Sequence, residues 1–413
     1  MTIALKSPSP STSVVTDPIR VMVVDDSVVV RGLIGRWIDE DPALAVVASH
    51  RNGKLAVDDV ARVMPDVVIL DIEMPEMDGL TALPLLMAKK PDLVVVMASS
   101  LTRRNAEVSL KALSLGAADY VPKPDSNSGI STSPEFKREL VEKIKALGLR
   151  ARNRSGRPIA PRPVTASATT PASSAASTST GSAVTTSTSA TSAAPSATTR
   201  PFAPNPAGKA ITTRPYGSAV PRILAIGSST GGPQALTKLF QAIGPSIGRV
   251  PVVVTQHMAA AFTAILAEHI AKASGRACSE GRHGERLEAG RIYVAPGGKH
   301  MVIGRNGADP VIELNDLPPV NFCKPAVDPL FDSVSAVYGA AVLAVVLTGM
   351  GSDGANGARM IAGAGGSIIA QDEETSVVWG MPGAVAHAGV ASDILALDAI
   401  GPKVVRILSG GRP

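Results

Sequence analysis

The chain has 413 residues, enough for two ordinary domains, and its net charge of +5 is scattered, with no Lys/Arg run reaching five. An apolar fraction of 45% supports sizeable cores, whereas aromatics at 3% leave packing to Val, Ala, Leu and Ile. That suits buried parallel strands and argues against both an aromatic-rich β-sandwich and a base-stacking nucleic-acid surface. Two cysteines, Cys278 and Cys323, cannot build a disulfide framework or a four-ligand zinc site. The start has no apolar core of signal-peptide length, and no run approaches the ~20 apolar residues that span a bilayer. The expectation is a soluble protein of a reducing cytoplasm, with no nucleic-acid partner and no membrane insertion.

In chain order, IRVMVVDD (19–26), LAVVASH (44–50), PDVVILD (65–71), PDLVVVMASS (91–100) and ADYVPKP (118–124) predict strands. SVVVRGLIGRWIDED, LTALPLLMAKK and RNAEVSLKALSLG show helical spacing between them. Such β/α repeats predict a doubly wound parallel sheet over 19–147, with functional residues at the carboxyl ends of the strands. Residues 148–218 are then dominated by Ala, Ser, Thr and Pro, most densely over 161–200. They carry too little apolar surface to offset the entropy of ordering, so a disordered linker is expected. The alternation resumes over 219–410. RILAIG (222–227), PVVVTQH (251–257), RIYVAP (291–296), AAVLAVVLTG (340–349) and GSIIAQ (366–371) read as strands, and PQALTKLFQAI, FTAILAEHIAKAS and DPLFDSVSAVYG as helices. The fold class is α/β, with two doubly wound domains.

Asp25 and Asp26 end the first predicted strand and Asp71 the third. Three carboxylates at one sheet edge repel one another unless a cation joins them, and oxygen-only ligands favour a hard ion such as Mg²⁺. A plainer alternative is that they cap the following helices. Ser99 after the fourth strand, Lys123 after the fifth and the Met74-Pro75 pair converge on the same edge. The set DD, DIEMP, MASS and YVPKP resembles the response-regulator receiver domain, which has a flavodoxin-like fold. The resemblance implies that Asp71 accepts a phosphoryl group from a histidine kinase. It further implies that Asp25, Asp26, Asp71 and the Glu73 carbonyl hold Mg²⁺, that Ser99 and Lys123 contact the phosphate, and that Tyr120 changes rotamer.

In the second domain, Gly227-Ser228-Ser229-Thr230-Gly231 fits G-x-S-x-G at a strand-to-helix turn, which exposes a nucleophile beside backbone N–H donors. On this segment alone a phosphate-binding loop and a helix-capping serine stay open, although the loop lacks the spacing of G-x-x-x-x-G-K. A serine nucleophile needs a base. His257 closes the second strand at the same sheet edge, whereas His269, His283, His300 and His387 lie on a helix or in polar loops. Asp353, in the glycine-rich loop after the fourth strand, is the candidate orienting acid. Asp328 competes but precedes a proline and looks like a helix cap.

Together AIGSSTGG, TQHM, YVAPGGKHM, LTGMGSDGA and GMPGAV resemble the catalytic domain of the chemotaxis protein-glutamate methylesterases, a Rossmann-like α/β domain. Receiver, linker and esterase also follow in the family's order. The resemblance implies Ser229 as nucleophile, His257 as general base and Asp353 as orienting acid, with Thr230 and Met350 supporting the oxyanion and no cofactor for the esterase. It implies methyl-accepting receptors as substrates, loss of methyl esters from their glutamates, and deamidation of glutamine by the same chemistry. The unphosphorylated receiver would cover the active site, loosely because the linker is long. Departures are Ser228 where Ala is common, Ser352 for a common Asn, and Asn321-Phe322-Cys323-Lys324-Pro325 for the usual His-Arg-Pro run. A hydrolase of the same mechanism acting on another protein, and an inactive hydrolase-like binding module, are the competing readings.

Overall fold

A computed structural model describes residues 17–100, 102–123, 133–154 and 211–411. The first sheet contains β1 (Ile19–Val24), β2 (Leu44–His50), β3 (Val67–Asp71), β4 (Val94–Ser100) and β5 (Asp119–Lys123) in the order β2-β1-β3-β4-β5. All its pairs are parallel. Helices α1 (Val28–Asp39), α2 (Gly53–Val63), α3 (Gly79–Lys89), α4 (Arg103–Ser114) and α5 (Pro134–Arg154) connect and cover it. Their starts are chemically marked: Ser27, Asn52, Asp78 and Thr102 each accept a hydrogen bond from a backbone N–H of the first turn. Gly79 lets α3 begin against β3, because a Cβ there would lie 2.0 Å from the Asp71 carbonyl oxygen.

The second sheet is built on β6 (Ile223–Ser228), β7 (Val252–Gln256), β8 (Cys278–Glu280), β9 (Ile292–Val294), β12 (Val342–Val346), β13 (Ser367–Gln371) and β14 (Asp393–Leu395). Its order is β14-β13-β12-β6-β7-β9-β8, parallel throughout. A separate antiparallel hairpin joins β10 (His300–Asn306) to β11 (Asp309–Asn315). The helices are α6 (Gly232–Ile243), α7 (Ala260–Ser274), α8 (Val327–Tyr338), α9 (Ala355–Gly363), α10 (Met381–His387) and α11 (Leu397–Leu408). Strands β6, β7, β12 and β13 are buried along their whole length, as their Val/Ile/Ala runs demand. From β6 the chain winds one way to β7 and later returns on the other side through β12. The crevice at their carboxyl ends is therefore a topological switch point, where ligand sites of open α/β sheets form.

Both predicted parallel-sheet domains are present. Of the expected linker, 155–210 lie outside the described residues. Its first part, 148–154, continues α5 past Leu147, because Leu140, Ile144, Leu147 and Ala151 form one buried stripe and Arg152 pairs with Asp66 at 2.9 Å. Its last part packs on the second sheet: Arg214 N–H donates to Ala391 O at 2.9 Å, and Tyr216 Oη bonds Asp393 at 3.1 Å. Among the described residues no helix is long and apolar enough to cross a membrane.

The two sheets belong to one compact unit. Helices α4 and α7 pack together, Tyr120 stacks on Phe262 with centroids 4.3 Å apart, and Arg103 pairs with Glu268 at 3.0 Å. Gln234 Nε2 donates to Ala117 O at 3.0 Å, and Arg150 donates to Glu374 O at 3.0 Å. The Arg138 guanidinium lies 3.9 Å from the Phe322 ring centroid.

Candidate active site

Three side chains come together at the switch point from separate strand ends. Ser229 follows β6, His257 follows β7, and Asp353 lies in the loop between β12 and α9. His257 Nε2 and Asp353 Oδ2 are 2.7 Å apart, with the acid only 1% exposed and the imidazole 10%. That bond fixes the ring, which also has a side-chain hydrogen bond with Cys323. Among the described residues no hydrogen bond joins Ser229 Oγ to His257, as is common before substrate tightens a catalytic constellation.

Asp353 is held as an anion by its surroundings. It accepts from the backbone N–H groups of Val327 at 2.5 Å, Asp328 at 3.1 Å and Gly354 at 3.0 Å, and from Asn321 Nδ2 at 3.4 Å. Val327 and Asp328 open α8, so the acid caps a helix it does not belong to and sits against its positive end. Burial alone would raise its pKa, but His257 and these N–H donors outweigh burial and lower it. Burial likewise opposes charge on His257, yet Cys323, hydrogen bonding to Asp353 and the Asp353 charge together push its pKa up to about 10.

Asp328, the competing acid, accepts from Gly357 N at 2.8 Å and Asn356 Nδ2 at 3.2 Å and so caps α9. The two aspartates cap each other's helices. The other histidines serve structure: His300 bridges Ala326 N and Pro318 O, His283 accepts from Leu314 N, and His387 bonds Gly383 O. His269 lies on α7. Ser228 is fully buried and donates to Gln256 Oε1 at 2.7 Å, whereas Ser229 is partly exposed.

Thr230 is 2% exposed and follows Ser229 on the turn into α6, while Met350 follows Gly349 after β12. Ser229 N–H donates to Thr348 O at 3.0 Å, which ties the β6 turn to the β12 loop. Among the described residues the backbone N–H groups of Thr230 and Met350 have no acceptor. Ser352, next to Asp353 in the chain, is exposed, and Lys324 Nζ lies 3.6 Å from Asp316 Oδ1. Missed by sequence reasoning were Asn321 and Cys323 as neighbours of Asp353 and His257, and Gln256, whose polar side chain at a buried strand end was the available signal.

On the first sheet, carboxylate oxygens of Asp25, Asp26 and Asp71 all lie within 4.8 Å of one another. Lys123 Nζ bridges Asp25 Oδ2 at 2.6 Å and Asp71 Oδ1 at 2.7 Å. Burial raises the Asp71 pKa to about 6 against the pull of Lys123, with the Asp25 charge adding to the rise. An oxygen-only, net negative cluster of this kind fits a small divalent cation. Glu73 is exposed, and its carbonyl accepts no hydrogen bond among the described residues. Ser99 is fully buried, with its hydroxyl donating to the Ser100 and Asn105 carbonyls. Tyr120 is 4% exposed, with its ring inward against Phe262.

Residues 21–132 match the response regulator receiver domain family, and residues 224–404 match the CheB methylesterase family. A protein-glutamate methylesterase/protein-glutamine glutaminase of group 2 operon from Rhodopseudomonas palustris is 54% identical over 100% of both chains. One of the same name from Bradyrhizobium diazoefficiens is 52% identical over 96% of this chain and 95% of its own. The Thermotoga maritima CheB methylesterase catalytic domain aligns with 45% of this chain and 98% of its own, at 36% identity and a TM-score of 0.44. Because the likeness to the Rhodopseudomonas palustris relative runs the full length of both chains, the protein belongs to the CheB methylesterase family and carries a response regulator receiver domain ahead of the catalytic domain.

Proposed function

We propose that this chain is a phosphorylation-controlled protein-glutamate methylesterase and protein-glutamine glutaminase acting on methyl-accepting chemotaxis receptors. The observation carrying it is the meeting of Ser229, His257 and Asp353 at adjacent strand ends, with the 2.7 Å His257–Asp353 contact. Ser229 Oγ attacks the side-chain carbonyl carbon of a glutamyl γ-methyl ester and passes its proton to neutral His257. The carbonyl oxygen takes up the displaced electron pair, facing the Thr230 and Met350 N–H donors. Collapse expels methanol with the proton from His257. Water then attacks the acyl carbon as His257 takes one of its protons; collapse breaks the bond to Ser229 Oγ, which receives that proton from His257, and glutamate remains. With glutamine, ammonia leaves in place of methanol. Asp353 stays ionised and holds the imidazolium.

Control comes from the receiver domain, with a histidine kinase as phosphodonor. Asp25, Asp26, Asp71 and the Glu73 carbonyl would hold Mg²⁺, which when bound neutralises charge on the transferred phosphoryl group. Asp71 is the acceptor, and Lys123 supplies a fixed positive charge beside it. Ser99 turns from its present carbonyl partners toward the phosphoryl group, and Tyr120 leaves its stack on Phe262 as the faces separate. The domain limits we assign from the sequence are 19–147 and 219–410, with α5 carrying the receiver on to Arg154 and Arg214 and Tyr216 packing on the second sheet. An organophosphorus fluoridate tests the nucleophile: peptide mapping should place the adduct on Ser229. An adduct on Ser228, or none, would count against this reading.

A further inference from the structure

We propose that Gln256 is a positioning residue that sets the oxyanion donor at Thr230, with Ser228 fixing which way round its amide lies. The inference rests on Ser229 as nucleophile. Gln256 is the last residue of β7, 2% exposed, and its side chain crosses to the end of β6. Its Oε1 accepts from Ser228 Oγ at 2.7 Å, while Nε2 donates to Ser229 O at 2.9 Å and His257 O at 3.2 Å. Two carbonyls on one end and a hydroxyl on the other permit a single orientation of the amide. His257 N–H returns the link by donating to Ser228 O at 3.1 Å. One buried side chain therefore ties together the main chain of nucleophile and base.

The consequence follows from the peptide unit. Ser229 C=O and Thr230 N–H share one plane and point in opposite directions. Gln256 Nε2 and Gly232 N–H, the latter at 2.7 Å, both draw the Ser229 carbonyl inward. Thr230 N–H is thereby turned outward, and it has no acceptor among the described residues. Gly232 is part of the same arrangement, since a Cβ there would come within 1.9 Å of Gln256 Oε1. When Ser229 Oγ bonds to the substrate carbonyl carbon, the π electrons move onto oxygen, and a donor already aimed at that oxygen lowers the barrier without improving ground-state binding.

The test is steady-state methanol release from methylated receptor membranes by the full-length chain and its Gln256→Glu, Ser228→Ala and Ser229→Ala variants. A carboxylate at position 256 cannot donate to the two carbonyls, so kcat should fall roughly ten- to hundredfold with KM unchanged. The ratio of the Gln256→Glu variant to wild type should recover as pH falls, because the introduced carboxyl group, once protonated, regains one donor. Unchanged kcat, a rise in KM alone, or a deficit independent of pH would overturn the proposal. If Gln256→Glu does not fold, Ser228→Ala decides: a roughly three- to tenfold loss of kcat at an unchanged melting temperature supports it, and wild-type kcat overturns it. Ser229→Ala separates the levels. An inactive Ser229→Ala beside wild-type-like Gln256 and Ser228 variants sinks only this inference, whereas an active one sinks the assigned nucleophile as well.

Discussion

Burial holds Asp71 at a pKa of about 6 although Lys123 lies 2.7 Å away, so at neutral pH the free receiver carries an anion its fold disfavours. A folded pKa raised above the unfolded 3.8 costs stability above about 6 and costs nothing once pH falls below the unfolded value. Asp71→Asn should therefore stabilise the metal-free protein at pH 7 by roughly 1–3 kcal/mol, the gain fading toward pH 4. Denaturant titrations at the two pH values check this, and a pH-independent difference would contradict it. At His257 the sign is reversed. Its folded pKa of about 10 means the charged ring stabilises the fold fully below the unfolded 6.5, and that contribution is lost as pH rises through 10. In the proposed mechanism only neutral imidazole accepts the Ser229 proton, so kcat/KM should climb from neutral into alkaline pH. Cys323 contributes to holding that proton. Cys323→Ala should move the midpoint down by roughly one unit, which a pH–rate profile would show; an unmoved midpoint would exclude that role for the thiol.

Helices α8 and α9 are linked through their caps, Asp353 on α8 and Asp328 on α9. Asp328→Ala should cost about 1–2 kcal/mol in unfolding and lower kcat, because α8 carries the N–H groups that seat Asp353. Asp328→Asn keeps an acceptor and should retain most of both; equal damage from the two variants would argue against capping as the cause. The long apolar runs of β1, β3, β4, β6, β7 and β12 are legible in the sequence, because a fully buried parallel strand has little alternative composition. So are the positions of Asp71, Ser229 and His257, since each stands just where such a run ends, and that of Asp353, in the glycine-rich loop beyond β12. The β10–β11 hairpin and the short strands β8 and β14 are not, as three-residue strands and a half-exposed hairpin carry weak patterns. Reciprocal capping, the Gln256 bridge and the approach of Cys323 to His257 are tertiary contacts between distant segments, which no local pattern encodes.

Across the whole molecule, the receiver contacts the esterase through the Tyr120–Phe262 stack, the exposed Arg103–Glu268 pair and Arg138 over Phe322. Phe322 neighbours Cys323 on the turn beside the catalytic pair, so the receiver's α5 reaches to the edge of the site. The exposed ion pair is worth little, and the buried aromatic stack is the stronger contact. Phe262→Leu keeps an apolar side chain but loses the stack, and should raise unphosphorylated activity roughly two- to tenfold. A variant with wild-type basal activity would show that the stack does not restrain the enzyme. Most of the proposed linker, residues 155–210, lies outside the described residues. The most direct measurement is methanol release from methylated receptor membranes, with and without a phosphodonor, for wild type, Ser229→Ala and Asp71→Ala. The account predicts stimulation of wild type, basal and unstimulated release from Asp71→Ala, and none from Ser229→Ala. Release by Ser229→Ala, or equal stimulation of Asp71→Ala, would contradict it.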